Sequence, residues 1–166
     1  GISGTIFEFV SNTFSFRLSP KYVPTALHAI TRLDLSNNQL VEIPSCIFGM
    51  QSLKFLSLAQ NKIETLPRST SSDRKPRPRL TEKTYSAPWL EEIQLQDNRL
   101  EYIPPTLFTL KSLTTLDLSN NKLQMLPFEM WKGTKLKELN VSFNMLSELP
   151  VSEENFLMRT LSSEVS

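Results

Sequence analysis

Cysteine is almost missing from this 166-residue chain: Cys46 stands alone, so no disulfide can form within it. A disulfide-framed secreted domain is thereby excluded, and a lone thiol suits a reducing, cytoplasmic setting. Glycine is scarce too, with four residues, and no Gly-x-x-x-x-Gly-Lys-Ser/Thr run occurs, so a phosphate-cradling loop is hard to build. The single histidine, His28, has no Cys or carboxylate at metal-ligand spacing, and no histidine falls in register to activate Cys46. Neither a metal, a cofactor nor a catalytic residue can be nominated from such a set, and no enzymatic activity is expected within these residues. No apolar run approaches the ~18 residues needed to span a bilayer. The opening Gly1-Ile2-Ser3-Gly4 lacks both an initiator Met and a signal-peptide pattern, which leads us to expect a piece of something longer.

Charge is balanced overall and uneven locally. The net value is +1, from 18 Lys+Arg and 17 Asp+Glu. Residues 68–88 carry six basic groups (Arg68, Arg74, Lys75, Arg77, Arg79, Lys83) against Asp73 and Glu82, a local +4. The remainder, with 12 basic and 15 acidic residues, stands at −3. A mildly acidic body carries one basic segment.

What the chain has in abundance is self-similarity. Ile30, Leu33, Leu35, Asn38, Leu40, Ile43 and Pro44 recur as Leu53, Leu56, Leu58, Asn61, Ile63, Leu66 and Pro67. The same seven positions return from Leu90, from Leu113 and from Leu136, ending at Pro104, Pro127 and Pro150. The starts lie 23, 37, 23 and 23 residues apart. Alternation such as Leu33-x-Leu35 is a strand with one face in a core and one in solvent. One such strand cannot bury its apolar face by itself, whereas stacked copies build a continuous core. The asparagines Asn38, Asn61, Asn98, Asn121 and Asn144 are expected to point inward and satisfy backbone groups buried where the chain leaves each strand. After each Leu-Pro step, Ile47 and Met50, then Leu107 and Leu110, return at helical spacing. The prolines suit the start of a short turn, where no N–H is needed. Gly133 stands where Leu110 stands in the preceding copy, which predicts a looser turn there, filled by Trp131.

These residues resemble the leucine-rich-repeat superfamily, specifically its 23-residue intracellular type with a Leu-Pro step, over about residues 20–150. The resemblance implies an α/β fold: a right-handed solenoid with parallel strands on a concave face and short 3₁₀ or α turns on the convex face. Five full repeats would occupy residues 30–150, with an N-terminal cap over 1–29 and a C-terminal cap and tail over 151–166. In the cap, Phe7-Glu8-Phe9 and Phe14-Ser15-Phe16 flank a polar turn, as a hairpin or a degenerate repeat would. Extracellular members usually close their ends with cystine caps, which cannot form here.

The outward strand positions of that architecture make the concave face. They are Arg32, Asp34 and Ser36; Phe55, Ser57 and Ala59; Glu92, Gln94 and Gln96; Thr115, Asp117 and Ser119; Glu138, Asn140 and Ser142. Five strands ~4.8 Å apart span about 20 Å, room for a peptide, a helix or the edge of a small domain. The face leans acidic through Asp34, Glu92, Asp117 and Glu138, so a basic protein or peptide is the expected partner. Another domain of the same parent chain would serve as well, and neither a small molecule nor a nucleic acid is expected. Leu-Asp-Leu-Ser is, however, the commonest strand sequence of such repeats. Phe55, expected to be exposed, and Phe143 just past its strand break the polar pattern and are the candidate hot spots.

Fourteen extra residues separate Pro67 from the third repeat, within a basic insertion at about 68–88. Pro, Ser and like charges together disfavour packing, and a solvated loop is the plain interpretation. Three uses stand beside it. Ser71 lies in an Arg68-x-x-Ser71 phosphosite pattern. The run Arg74, Lys75, Arg77 and Arg79 could meet an acidic surface. Pro76-Arg77-Pro78-Arg79 could be read by a proline-recognising module. Within the superfamily, the period, the Leu-Pro step and the insertion are similar to the repeat arms of Roco proteins, kinases with a Ras-like GTPase domain. The resemblance implies a protein-interaction arm of an intracellular signalling protein. The alternatives are a stand-alone Ras-pathway scaffold or the substrate receptor of a ubiquitin ligase.

Overall fold

The computed structural model of the chain describes residues 5–8, 29–43, 45–67, 85–131 and 135–150. Among them are six strands: β1 (Thr5–Glu8), β2 (Ile30–Asp34), β3 (Phe55–Ser57), β4 (Glu92–Gln94), β5 (Thr115–Asp117) and β6 (Glu138–Asn140). They form one sheet in sequence order, and every neighbouring pair is parallel. Parallel neighbours cannot be joined by a tight hairpin and need a crossover. Between β2 and β3, β4 and β5, and β5 and β6, a short convex turn supplies it. Length settles the character of those turns. Ser45–Gly49, Pro105–Thr109 and Phe128–Trp131 are 3₁₀ turns, and four or five residues suit the tighter i→i+3 bonding.

The core is a stack of leucines. Leu56, Leu58, Leu90, Ile93 and Leu95 are completely buried in the middle repeats. In the first and last of the described repeats, Leu35, Leu40, Leu136, Leu146 and Leu149 are only partly covered. Burial here belongs to the stack rather than to any single repeat.

The asparagine ladder stands where the periodicity put it. The Nδ2 of Asn98 donates to the carbonyls of Leu58 (2.9 Å), Leu95 (3.1 Å) and Gln96 (3.2 Å), while its Oδ1 accepts from the Ile63 N–H at 3.0 Å. Asn61 and Asn121 repeat the pattern, each bonding to the previous repeat as well as its own. Asn144 does the same with Leu118 and Leu123. Asn38, in the first repeat, donates to Leu35 and Ser36. The amides of Asn61, Asn98, Asn121 and Asn144 thus each tie two turns of the solenoid together at the point where the strand ends.

The insertion begins and ends on the convex side. Tyr85 and Ala87, which the sequence reading assigned to it, belong to the buried core. The Tyr85 ring stacks on Phe48 with centroids 4.2 Å apart and planes 12° from parallel. The N–H groups of Ser86 and Ala87 both donate to the Phe48 carbonyl, at 2.9 and 2.8 Å. The Tyr85 hydroxyl donates to the carbonyl of Pro67, so the residue before the insertion is bonded to a residue at its far end. A register signal existed: five positions ahead of Leu53, Leu90, Leu113 and Leu136 stand Phe48, Tyr85, Phe108 and Trp131. Trp131 packs against the core and its Nε1 donates to the Pro150 carbonyl at 2.7 Å. Gly133, residues 68–84 with Ser71, Arg74, Lys75, Arg77 and Arg79, His28 and the expected C-terminal cap all lie outside the described residues. Of the N-terminal cap, β1 is described; it pairs with β2 in parallel, Phe7 opposite Leu33.

Candidate interaction surface

Strand register decides which side chains share the concave face. Arg32, Phe55, Glu92, Thr115 and Glu138 are successive partners across the sheet, as are Asp34, Ser57, Gln94, Asp117 and Asn140. The alternation anticipated from sequence therefore brings all ten into two adjacent rows. The ladder runs on past the strands, with Leu35 N–H to Ser57, Leu58 to Gln94, Leu95 to Asp117 and Leu118 to Asn140, all at 2.8–2.9 Å. This sets Ser36, Ala59, Gln96, Ser119 and Ser142 in a third row.

The rows are not equally accessible. Ser57 and Ala59 are 3 % and 6 % exposed, so the second repeat forms a floor that larger neighbours overhang, and Ser57 offers a partner little. Phe55 is a correction to the expectation of an exposed aromatic. It is half-buried, and the guanidinium of Arg32 lies 3.6 Å from its ring centroid. A cation over an aromatic face is attracted by the ring quadrupole, and because the two residues are directly opposed on β2 and β3, the pair satisfies itself. Phe143 is the opposite case, 71 % exposed.

Hydrogen-bond accounting gives the face a polarity that charge counting does not. Asp34 Oδ1 accepts from both the N–H and the hydroxyl of Ser36, at 2.9 and 2.6 Å. Asp117 accepts likewise from Ser119 at 2.9 and 2.7 Å, and Asn140 Oδ1 from Ser142 at 3.1 and 2.7 Å. The recurring Asp-x-Ser thus fixes the end of the strand, a local side-chain-to-backbone turn, and each of these serine protons is already committed. Gln94 donates to Glu92 at 2.9 Å and Asn120 to Asp97 at 2.6 Å. Gln96 Oε1 is buried and meets no protein donor. Carboxylate acceptors therefore dominate what is left over, with Arg32 and the Asn140 amide among the few donors.

A second concavity, about 380 Å³, opens on the flank between Glu64, Leu66, Arg99, Glu101, Tyr102 and Lys122. Cations and carboxylates alternate around it, so it favours neither sign. Among the described residues, no group of three His, Cys, Asp or Glu could hold a metal, and no helix is long and apolar enough to cross a membrane. Cys46 lies in the convex 3₁₀ turn Ser45–Gly49, away from these rows.

The comparison with known proteins agrees with the geometry. A family model described as "Leucine rich repeat" matches residues 88–146, and one described as "Leucine Rich repeats (2 copies)" matches residues 28–70. The chain is a leucine-rich-repeat protein. Its repeats are 41 % identical over 93 residues to leucine-rich repeat serine/threonine-protein kinase 1 of Caenorhabditis elegans, covering 55 % of this chain and 3 % of that one. The kinase of the same name in Mus musculus is 39 % identical over 88 residues, covering 52 % and 4 %. Ras guanine nucleotide exchange factor V of Dictyostelium discoideum is 36 % identical over 92 residues, covering 51 % and 4 %. Among solved structures, a leucine-rich-repeat protein of Leptospira interrogans superposes with a TM-score of 0.62 at 36 % identity, covering 75 % of this chain and 28 % of that one. The leucine-rich-repeat chain thus spans a few per cent of the curated relatives it matches, and both family matches are to repeats.

Sequence reasoning reached the three rows and the asparagine ladder. It missed that Arg32 covers Phe55 and that Tyr85 bonds back across the insertion. It also missed Met145, 56 % exposed two residues beyond Phe143.

Proposed function

We propose that this leucine-rich-repeat chain is a protein-interaction module whose concave face takes a lysine- or arginine-bearing segment of another protein. The observation that carries this reading is the commitment of the face's serine hydroxyls to Asp34, Asp117 and Asn140. What remains is a surface rich in carboxylate oxygens, matched by the donors of basic side chains. The test is affinity capture with the chain and with a Glu92→Lys/Glu138→Lys variant. Loss of the captured partners in the variant supports the reading, and equal capture of the same partners by both contradicts it.

The parent we propose is a multidomain signalling protein of the Roco type, in which this arm is non-catalytic and works in the cytoplasm. The similarity to kinase 1 of worm and mouse supports it, and the lone cysteine fits a reducing compartment. A Ras-pathway protein is the second reading, favoured by the similarity to exchange factor V. The full-length transcript separates them: GTPase and kinase motifs after residue 166 support the first, and an exchange-factor domain supports the second.

A further inference from the structure

Each repeat turns out of its strand through one residue with positive φ: Asn37 (56°), Gln60 (54°), Asp97 (58°), Asn120 (51°) and Phe143 (54°). The left-handed region crowds a Cβ against the backbone, and Asn and Asp tolerate it best because their short polar groups can bond locally. Four of the five positions carry a polar amide or carboxylate. The fifth carries a phenylalanine, which has no such group. A bulky residue in that conformation usually gains something from packing, yet Phe143 is 71 % exposed. Met145, on the other side of the inward-pointing Asn144, is 56 % exposed. In the three preceding repeats its position is held by Lys62, Arg99 and Lys122. An apolar pair thus replaces polar and charged residues at the same corner of one repeat, and its phenylalanine occupies a backbone conformation that the other four repeats give to Asn, Gln or Asp. Strain of this kind concentrates at binding sites.

We infer that Phe143 and Met145 form the anchor of the interface, and this rests on the concave-face reading above. The occupant is a peptide segment of a partner protein that seats a bulky apolar side chain on Phe143 and Met145. It places Lys or Arg, within about four residues, over the carboxylates of Asp117 and Glu138. Charge complementarity selects this occupant. The strand leading into the anchor carries the exposed Glu138 and Asn140, with Asp117 paired opposite Asn140, and Asp97 is bonded to the neighbouring Asn120. Lys122 holds in the preceding repeat the position that Met145 holds here, on the flank, where the Met145 N–H donates to the Leu123 carbonyl at 2.9 Å. The basic residues of the partner therefore lie toward the concave rows and not toward the flank.

The test is a random-peptide display selection on the whole chain, followed by anisotropy titration of the enriched peptides against variants. Enriched sequences are expected to pair a bulky apolar residue with a nearby Lys or Arg. Phe143→Asn should weaken them by roughly thirtyfold, as truncating a hot-spot aromatic does, and Phe143→Tyr should retain affinity. The melting temperature of Phe143→Asn should rise by about 2 to 4 °C as the backbone strain is relieved, so lost binding cannot be ascribed to unfolding. A selection returning no peptide sensitive to Phe143→Asn overturns the inference, as does a lowered melting temperature. So does concentration-dependent self-association abolished by Phe143→Asn, which would make a second copy the occupant. Peptides sensitive to Glu92→Lys/Glu138→Lys but indifferent to Phe143→Asn would leave the concave-face reading standing and remove only the anchor. Peptides indifferent to all of these variants would remove both.

Discussion

The asparagines show how much one side chain can hold. Asn98 satisfies three carbonyls and one N–H drawn from two repeats, and all of these bonds but the one to Gln96 are buried away from water. Replacing it with Leu keeps the volume and removes every bond, at about 1–3 kcal/mol for each group left unpaired. Asn38, half-buried in the first repeat, should lose less on the same change. Urea unfolding of Asn98→Leu and Asn38→Leu measures the difference, and equal destabilisation would contradict a ladder that ties neighbouring repeats. The Arg32–Phe55 pair is a smaller effect. Arg32→Ala should cost about 0.5–1 kcal/mol, the usual worth of a cation over an exposed ring, and should uncover the face of Phe55.

At the scale of elements, the insertion is set into an otherwise regular repeat. Deleting residues 68–81 would leave three residues between Pro67 and Tyr85 and restore the 23-residue period. Calorimetry of that deletion should find the melting temperature unchanged or slightly raised, because shortening a segment whose ends already meet costs little. A collapse in stability would mean that the insertion is part of the core. Tyr85 holds the junction by its ring and its hydroxyl. Tyr85→Phe should cost about 1 kcal/mol for the lost bond, and Tyr85→Ala about 3–5 kcal/mol for the lost aromatic packing. Burial pushes the Tyr85 phenol far above its ordinary value of 10.0. Its neutral form is therefore favoured by folding. That contribution is complete below the unfolded value of about 10 and is lost as pH climbs from there toward the shifted one. Denaturant titrations should show stability falling above about pH 10, with part of the fall absent in Tyr85→Phe.

The whole molecule is a row of similar units, and that is why so much of it was legible. Seven positions repeated five times define the strands, the inward asparagines and the concave rows without any long-range information. What was hidden depends on relations between repeats, or on the edges of the pattern. Arg32 and Phe55 are 23 residues apart and meet only because β2 and β3 pair in register. Tyr85 sits at the same position as Phe48, but the insertion breaks the count that would reveal it. The left-handed residue at position 143 follows from alignment with Asn37, Gln60, Asp97 and Asn120, though its exposure does not. The acceptor character of the face depends on where hydroxyl protons point, and composition carries no trace of that. Local stacking also predicts that destabilisation at one end spreads unevenly. Hydrogen exchange should be fastest in β6 and its flanking turns, where Leu136, Leu146 and Leu149 are only partly covered, and slowest in β4.

Binding of a basic protein segment is what we propose for the concave face. The most direct measurement is quantitative affinity capture with the unmodified chain and with Glu92→Lys/Glu138→Lys, both confirmed as folded by circular dichroism. Most captured partners should be lost from the variant, and raising the salt concentration should weaken the remainder. The same partners captured in equal amounts by both proteins would contradict it.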